Sequence, residues 1–381
     1  MTDASPLRVG IVCDLLEENW PSMDLVADEL LRTLPVVASP RIAPVRIRPA
    51  MAGWPAAIAR TSHVRAAVNA NRYLDRHRRY PRWLRRHRGN LDAYHVVDHT
   101  YAHLVHELPA ERTVVTCHDV DAFRSLFDPA GERRSAMFRR MTQRVLDGLR
   151  RAAVVACDSV ATRDALVAHG LRTTGLEVVP LGVHPVFTPA ATAPASVRHD
   201  APVLLHVGST IPRKRIDVLL EVFARVRSQV PDARLVRIGG AFTAAQEAVA
   251  RRLGVREAIT VMPRMEREAL AEAYREAALV LLPSESEGFG LPVVEAMACG
   301  TPVVASDLPV LREVGGAAAE YVPVADLDRW AERVRAVLAE RTESPGARTA
   351  RCRAALSQAA RFTWEACAQR MAELYAGVAR G

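Results

Sequence analysis

Short apolar runs alternate with segments of helical spacing along most of this chain. Residues 7–15 (LRVGIVCDL) are rich in β-branched side chains and read as a strand buried on both faces. Residues 22–34 follow with Leu25, Leu30, Leu31 and Leu34 at helical spacing. Further strands are predicted at 94–97, 113–117, 154–157 and 177–179, with helices at 135–150 and 159–169. The alternation then restarts. Strands are predicted at 201–207, 234–238, 259–262, 279–282 and 302–305, and helices at 216–229, 243–253, 266–277, 292–298 and 326–340. Strands separated by helices imply βαβ units and parallel sheets. The stretches 126–132 and 341–348 read as turns.

Between the two sets, residues 186–200 (VFTPAATAPASVRHD) are rich in Pro and Ala, the composition of a linker. The pattern predicts an α/β protein of two doubly wound, Rossmann-like domains. A ligand is expected in the cleft between them, at the carboxyl ends of the strands. A length of 381 residues suits two domains. With 49% apolar and 25% charged residues, disorder is excluded as the main state. No solenoid-period repeat is present.

No apolar run reaches the roughly 18 residues of a membrane span, and no secretory signal is read at the N-terminus, so a cytoplasmic protein is expected. Cys13, Cys117, Cys157, Cys299, Cys352 and Cys367 form no CxxC pair; small buried thiols in a reducing compartment are expected. No His/Cys cluster has zinc spacing, and no metal site is expected. The net charge is +8. Lys214 is the single lysine among 51 basic residues, which marks it for attention.

The chemistry concentrates in PSESEGFGLPVVE, from Pro283 to Glu295. Gly288 and Gly290 let backbone approach a ligand closely. Pro292 suits a first helical turn, and amides around 290–293 would then offer a helix N-terminus to a phosphate. Glu287 would lie in the loop and Glu295 about one turn into the helix. Two carboxylates could thus flank one ligand, making charge-assisted bonds to hydroxyls. A glycine turn with one solvated and one dipole-complementing Glu is the bland alternative. HVGSTIPRKRI, from His206 to Ile216, runs from a strand into Gly208 and then Arg213-Lys214-Arg215. Cations there suit a diphosphate, whose charge they would stabilise as it leaves; a solvated basic turn is the alternative. His118-Asp119 closes the 113–117 strand, and His99 and His103 follow the 94–97 strand. Each histidine could face the cleft as an acid/base or sugar contact, or be structural.

These residues resemble the retaining glycosyltransferases of family 4, which have the GT-B fold. EGFGLPVVEA resembles their E-x7-E motif and VGSTIPRKR their phosphate-binding turn. VVPLGV at 178–183, CGTPVVAS, LREVGG and FTWE at 362–365 follow in the family's order. The resemblance implies an acceptor-binding domain at 1–187, a donor-binding domain at 188–360, and a helix at 361–381 that crosses back to the first domain. It further implies a metal-independent, cofactor-free transfer of a sugar from a nucleotide-diphosphate-sugar to an acceptor hydroxyl. Glu295 would hold the ribose. Glu287, Gly288, Phe289, Gly290 and Leu291 would hold the sugar and phosphates, and Gly208, Ser209, Arg213 and Lys214 the diphosphate. His118 would lie over the transferred sugar, with His118, Glu287 and Lys214 as the catalytic set. Base contacts would come near Met262 and Arg264, and acceptor contacts from Asn19, Trp20, His99 and His103. Many relatives carry Gly-Arg at the phosphate turn, where this chain has Gly208-Ser209. Relatives also carry a Gly-Gly loop after the first strand, replaced here by residues 17–23 (EENWPSM). Rival readings are an epimerase, a hydrolase or a pseudo-glycosyltransferase of the same fold, and a non-catalytic nucleotide-binding scaffold.

The run from Arg60 to Arg88 holds ten arginines and one acid, Asp75, with Tyr73, Tyr80 and Trp83 among them. A solvated face and an anionic-lipid contact compete for it. No nucleic-acid module is present, so no nucleic-acid partner is expected. Lipid contact would place the protein on the cytoplasmic membrane face.

Overall fold

The computed structural model describes residues 5–18, 21–37, 39–50, 71–171, 175–190 and 201–380. The chain divides into two compact units: Met1–Leu181 with Trp364–Gly381, and Gly182–Thr363.

The first unit is built on a six-stranded parallel sheet in the order β2-β1-β3-β4-β5-β6. The strands are β1 (Leu7–Val12), β2 (Ile42–Ile47), β3 (Ala93–Val96), β4 (Thr113–Cys117), β5 (Val154–Cys157) and β6 (Leu176–Val178). Helices α1 (Pro21–Thr33), α2 (Tyr80–His87), α3 (Ala136–Arg151) and α4 (Val160–Ala168) connect or flank them. Ser135 and Ser159 start α3 and α4 by accepting the amides of Phe138 and Thr162, which satisfies donors the first turn leaves orphaned. β3 and β4 are buried at every position, as strands covered on both faces should be.

Two of the differences from the sequence expectation concern the sheet. β1 ends at Val12, so Cys13, Asp14 and Leu15 belong to the loop after it. β2 has no counterpart in the pattern because Pro44 interrupts it. As an edge strand it tolerates the missing N–H.

The second unit repeats the architecture in the order β12-β11-β10-β7-β8-β9, again all parallel. Its strands are β7 (Val203–Val207), β8 (Arg234–Ile238), β9 (Ile259–Met262), β10 (Leu279–Leu282), β11 (Val303–Ser306) and β12 (Glu320–Val322). Its helices are α5 (Ile216–Arg227), α6 (Ala244–Arg252), α7 (Arg267–Glu276), α8 (Leu291–Ala298), α9 (Pro309–Gly315), α10 (Leu327–Ala339) and α11 (Pro345–Ala359). The expected turn at 341–348 is half helix: Pro345 opens α11, where its missing N–H is harmless. The edge strand β12, only three residues long, was too short to show as a pattern.

The last helix, α12 (Trp364–Ala379), packs in the first unit. Tyr375 is hydrogen-bonded to His95 of β3 at 2.8 Å, and Arg370 pairs with Glu177 of β6 at 2.8 Å. The two compact units meet at 181/182 and 363/364. Residues 183–188 are packed in the second unit. The Val183 amide donates to Phe362 O, the Phe187 ring meets Tyr274, and Arg275 donates to the carbonyls of Val186 and Thr188. Residues 191–200 of the expected linker lie outside the described residues. Among the described residues no helix is long and apolar enough to cross a membrane.

Candidate active site

In the second unit, β7 ends at Val207 and the chain turns through Gly208 and the exposed Ser209 into a single helical turn, Pro212–Lys214. Arg215 then takes a left-handed conformation, φ 47°, the one non-glycine residue with positive φ among those described. Its guanidinium holds Asp217 at 2.8–3.2 Å, so the strain is fixed by an ion pair, and α5 begins directly after it. This tight entry sets Lys214 and Arg213 against the loop that follows β10. The Glu285 amide donates to Arg213 O at 2.8 Å, and Arg213 Nη1 donates to Ser286 O at 2.9 Å. Lys214 Nζ donates to Glu287 Oε1 at 2.6 Å, while Arg213 Nη1 stands 3.5 Å from Glu287 Oε2. Both oxygens of Glu287 therefore face cations, and the Lys214 and Glu287 side chains are only 11% and 6% exposed.

Glu295 sits one turn into α8. Tyr274 of α7 donates its hydroxyl to Glu295 Oε2 at 2.8 Å. Burial raises the Glu295 carboxyl to about 7, against the opposing pull of Tyr274 and Arg267. Gly290, at the start of α8, has φ 96°, and a Cβ there would stand 2.7 Å from Leu311 Cδ2. Only glycine fits. Pro292 has no N–H, and the Val293 amide is taken by Gly290 O at 2.9 Å, so the span of amides expected at 290–293 narrows. The Phe289 side chain turns inward and meets Phe362 edge-on at 5.6 Å. Its side chain is core, and a ligand would meet only its backbone. Met262 is 37% exposed at the end of β9, and its carbonyl accepts the amides of Gly239 and Gly240. Arg264 is exposed two residues on.

The carboxyl end of the first unit's sheet holds His99, His118, Asp98, Asp119 and Asp158. His118 is buried with both ring nitrogens engaged, Nδ1 on Asp158 at 2.6 Å and Nε2 on Val97 O at 2.8 Å. Burial alone would lower its basicity, but Asp158, Asp98 and the Val97 carbonyl hold it up to about 10. The ring is thus protonated at neutral pH, with both nitrogens already engaged. Asp158→Asn would strand that cation, and a loss of about 3–5 kcal/mol is expected in urea unfolding at neutral pH. The pair's contribution should be full below the unfolded histidine value of about 6.5 and fade as pH rises through 10.

His99 accepts the His118 amide on Nδ1 at 3.3 Å, and its buried Nε2 has no hydrogen bond. His103 is a correction. The helical turns of residues 99–107 swing it into the core, where Nε2 donates to Arg76 O at 3.0 Å and burial keeps the ring neutral. It cannot contact an acceptor there. Asn19 and Trp20 lie outside the described residues, as do Arg60 and Arg65. In the described part of the arginine run, Arg72, Arg76, Arg79, Arg85 and Arg88 donate to protein acceptors. Arg78, Arg82 and Arg86 are exposed.

Three buried residues of the second unit, two near strand ends and one on α7, carried no sequence signal beyond being polar within, or aromatic beside, apolar runs. They are Tyr274, His206 and Arg237.

Residues 190–360 match the family described as glycosyl transferases group 1, and residues 58–187 match glycosyltransferase family 4. A D-inositol 3-phosphate glycosyltransferase of Segniliparus rotundus is 38% identical over 220 residues, 54% of this chain and 48% of that protein. The chain spans about half the length of the curated relatives it matches. Among solved structures, sucrose-phosphate synthase from Thermosynechococcus elongatus superposes with a TM-score of 0.72 at 20% identity, over 97% of this chain and 98% of that one. Anabaena HepE in complex with UDP and glucose gives 0.73 at 16% identity, over 97% and 100%. The two family matches together run from residue 58 to residue 360, and with its two parallel six-stranded sheets the chain belongs to the family 4 glycosyltransferases of GT-B fold.

Proposed function

We propose that this chain is a retaining glycosyltransferase that moves a sugar from a nucleotide-diphosphate-sugar to an acceptor hydroxyl, with no metal in the reaction. The observation that carries the reading is the pairing of Lys214 and Arg213 with Glu287, beside Glu295 and the start of α8. Cations and a helix N-terminus on one turn match the charge of a diphosphate. A half-buried carboxylate on the same helix suits the hydroxyls of a ribose. Anabaena HepE, of like fold, forms a complex with UDP and glucose, ligands of the kind proposed here.

In the proposed step the bond between the sugar C1 and the diphosphate oxygen breaks, and its electron pair leaves with the diphosphate. Lys214, Arg213 and the α8 amides stabilise that charge. The acceptor oxygen bonds to C1 from the face the diphosphate leaves, and its proton passes to a phosphate oxygen. Configuration is retained. The cations on Glu287 lower its nucleophilicity, which favours this route over a covalent glycosyl–Glu287 intermediate.

Thermal unfolding with UDP, GDP, ADP and dTDP and their common sugars tests the donor class. A nucleotide present at 100 times its Kd should add about 2.7 kcal/mol of stability. One diphosphate is expected to shift the transition clearly; no shift with any would sink the donor assignment. Release of nucleoside diphosphate only when acceptor is present would then separate transfer from epimerase, hydrolase and scaffold readings.

A further inference from the structure

Arg237, the next-to-last residue of β8, is fully buried. Among the described residues no carboxylate lies within ion-pair distance of its guanidinium, an arrangement that is costly inside a protein. Its donors go instead to three backbone carbonyls at the ends of two adjacent strands. Nη2 reaches Gly208 O at 2.8 Å and Gly239 O at 3.4 Å, and Nη1 donates to Gly240 O. Phe242 covers the guanidinium from one side, its centroid 5.6 Å away.

The neighbour across the strands is His206, paired in register with Arg237. It is also fully buried, and neither ring nitrogen has a hydrogen-bond partner. Burial, with Lys214 and Arg237 close by, pushes it down to about 3, so it offers no compensating or additional charge. The backbone above is pressed together. Gly239 has φ 133°, and a Cβ there would stand 1.9 Å from Gly208 O. Arg237 thus ties the Gly208–Ser209 turn to the Gly239–Gly240 loop, and its positive charge is met by carbonyl dipoles and the Phe242 ring, with no side-chain anion among the described residues. Ser209, the exposed residue of that turn, is neutral.

We propose that Arg237 is a positioning residue for the donor's diphosphate: from beneath the sheet end it fixes the Gly208–Ser209 turn and supplies an unpaired buried cation under it. This rests on the donor reading above. A cation that no side-chain anion neutralises keeps its field, and a low-dielectric setting transmits that field to the turn above it. The second phosphate, with its extra charge, should feel it more than the first.

The test is calorimetric binding of UDP, GDP, ADP and dTDP, each beside its monophosphate, to the full chain and three variants. Arg237→Met is expected to weaken the preferred diphosphate about 10-fold and its monophosphate less than about 3-fold. Adding Ser209→Arg to Arg237→Met, which returns a cation to the turn's exposed side, is expected to recover most of the loss. Arg237→Lys, which keeps charge but not the three-carbonyl grip, should hold the diphosphate-to-monophosphate ratio near that of the wild type even if its thermal stability drops. It carries the test should Arg237→Met fail to fold. Equal losses of diphosphate and monophosphate in Arg237→Met, or no recovery with Ser209→Arg, would reduce Arg237 to a packing role. A changed ratio in Arg237→Lys would do the same. If the wild type binds none of the nucleotides, the donor reading fails and takes this inference with it. If the wild type binds a diphosphate and Arg237→Met binds it equally well, only the Arg237 assignment fails.

Discussion

Lys214→Ala is expected to lower kcat/KM at least ~100-fold, the order observed when a preorganised group that stabilises developing charge is removed. The reason is local. Lys214 is held by a 2.6 Å bond to Glu287 and by the strained turn at Arg215, so its charge is in place before the leaving group forms. No solvent reorganisation is then needed at the moment of bond breaking. Removing it also leaves Glu287, 6% exposed, with only Arg213 at 3.5 Å. The loss should therefore appear in kcat as well as KM. Steady-state kinetics with the donor found by thermal shift decides it, and near-normal turnover would remove Lys214 from the mechanism. Lys214→Arg is no safe substitute, because a planar fork does not fit a site built around one ammonium point charge.

Glu295→Gln is expected to weaken donor binding by about 1.5–3 kcal/mol, the worth of a hydrogen bond to a charged group. Its pH behaviour is more telling than its size. Burial lifts the Glu295 carboxyl to about 7, so the unliganded site is mostly protonated below that pH. In the proposed complex, ribose hydroxyls would donate to the ionised form. Donor affinity of the wild type should therefore rise as pH climbs from 5.5 through 7, then level off. The glutamine variant should show no such rise. A flat wild-type profile, or the same slope in both proteins, would remove Glu295 from the ribose. Stability of the unliganded protein runs the other way. The raised carboxyl binds an extra proton in the folded state, so its contribution is full below the unfolded value of about 4.3 and is lost as pH rises through 7.

The α/β alternation was legible because buried parallel strands are apolar throughout, and β4, β5, β8, β9 and β10 coincide with their expected spans. Of the elements that escaped, β2 and α11 carry conflicting local signals, Pro44 inside one and Pro345 at the mouth of the other. In the site, spacing along one loop and one helix was enough to bring out Glu287 and Glu295, and rarity brought out Lys214. What spacing cannot encode is a partner distant in the chain. Tyr274 on Glu295 and Asp158 on His118 are tertiary contacts over 21 and 40 residues. The same limit misled the reading of His103. Its distance from β3 resembles that of a strand-end ligand, yet helical turns rotate it inward. Arg237 was masked by its own strand, where Arg234 and Arg237 stand among apolar residues and nothing in the spacing marks one of them as buried.

The placement of α12 has a consequence for the order of assembly during synthesis. Trp364 and Tyr375 are buried in the first unit, and Tyr375 supplies the hydrogen bond to the enclosed His95. A ribosome making this chain releases residues 1–181 long before that helix exists. Until then the first sheet lacks one covering layer, and the His95 ring lacks its hydroxyl partner. The second unit, continuous from 182 to 363, can complete itself while the first is still waiting. Vectorial folding should thus run middle first. A chain ending at residue 363 and released from the ribosome should show a protease-resistant second unit and a cleavable first one.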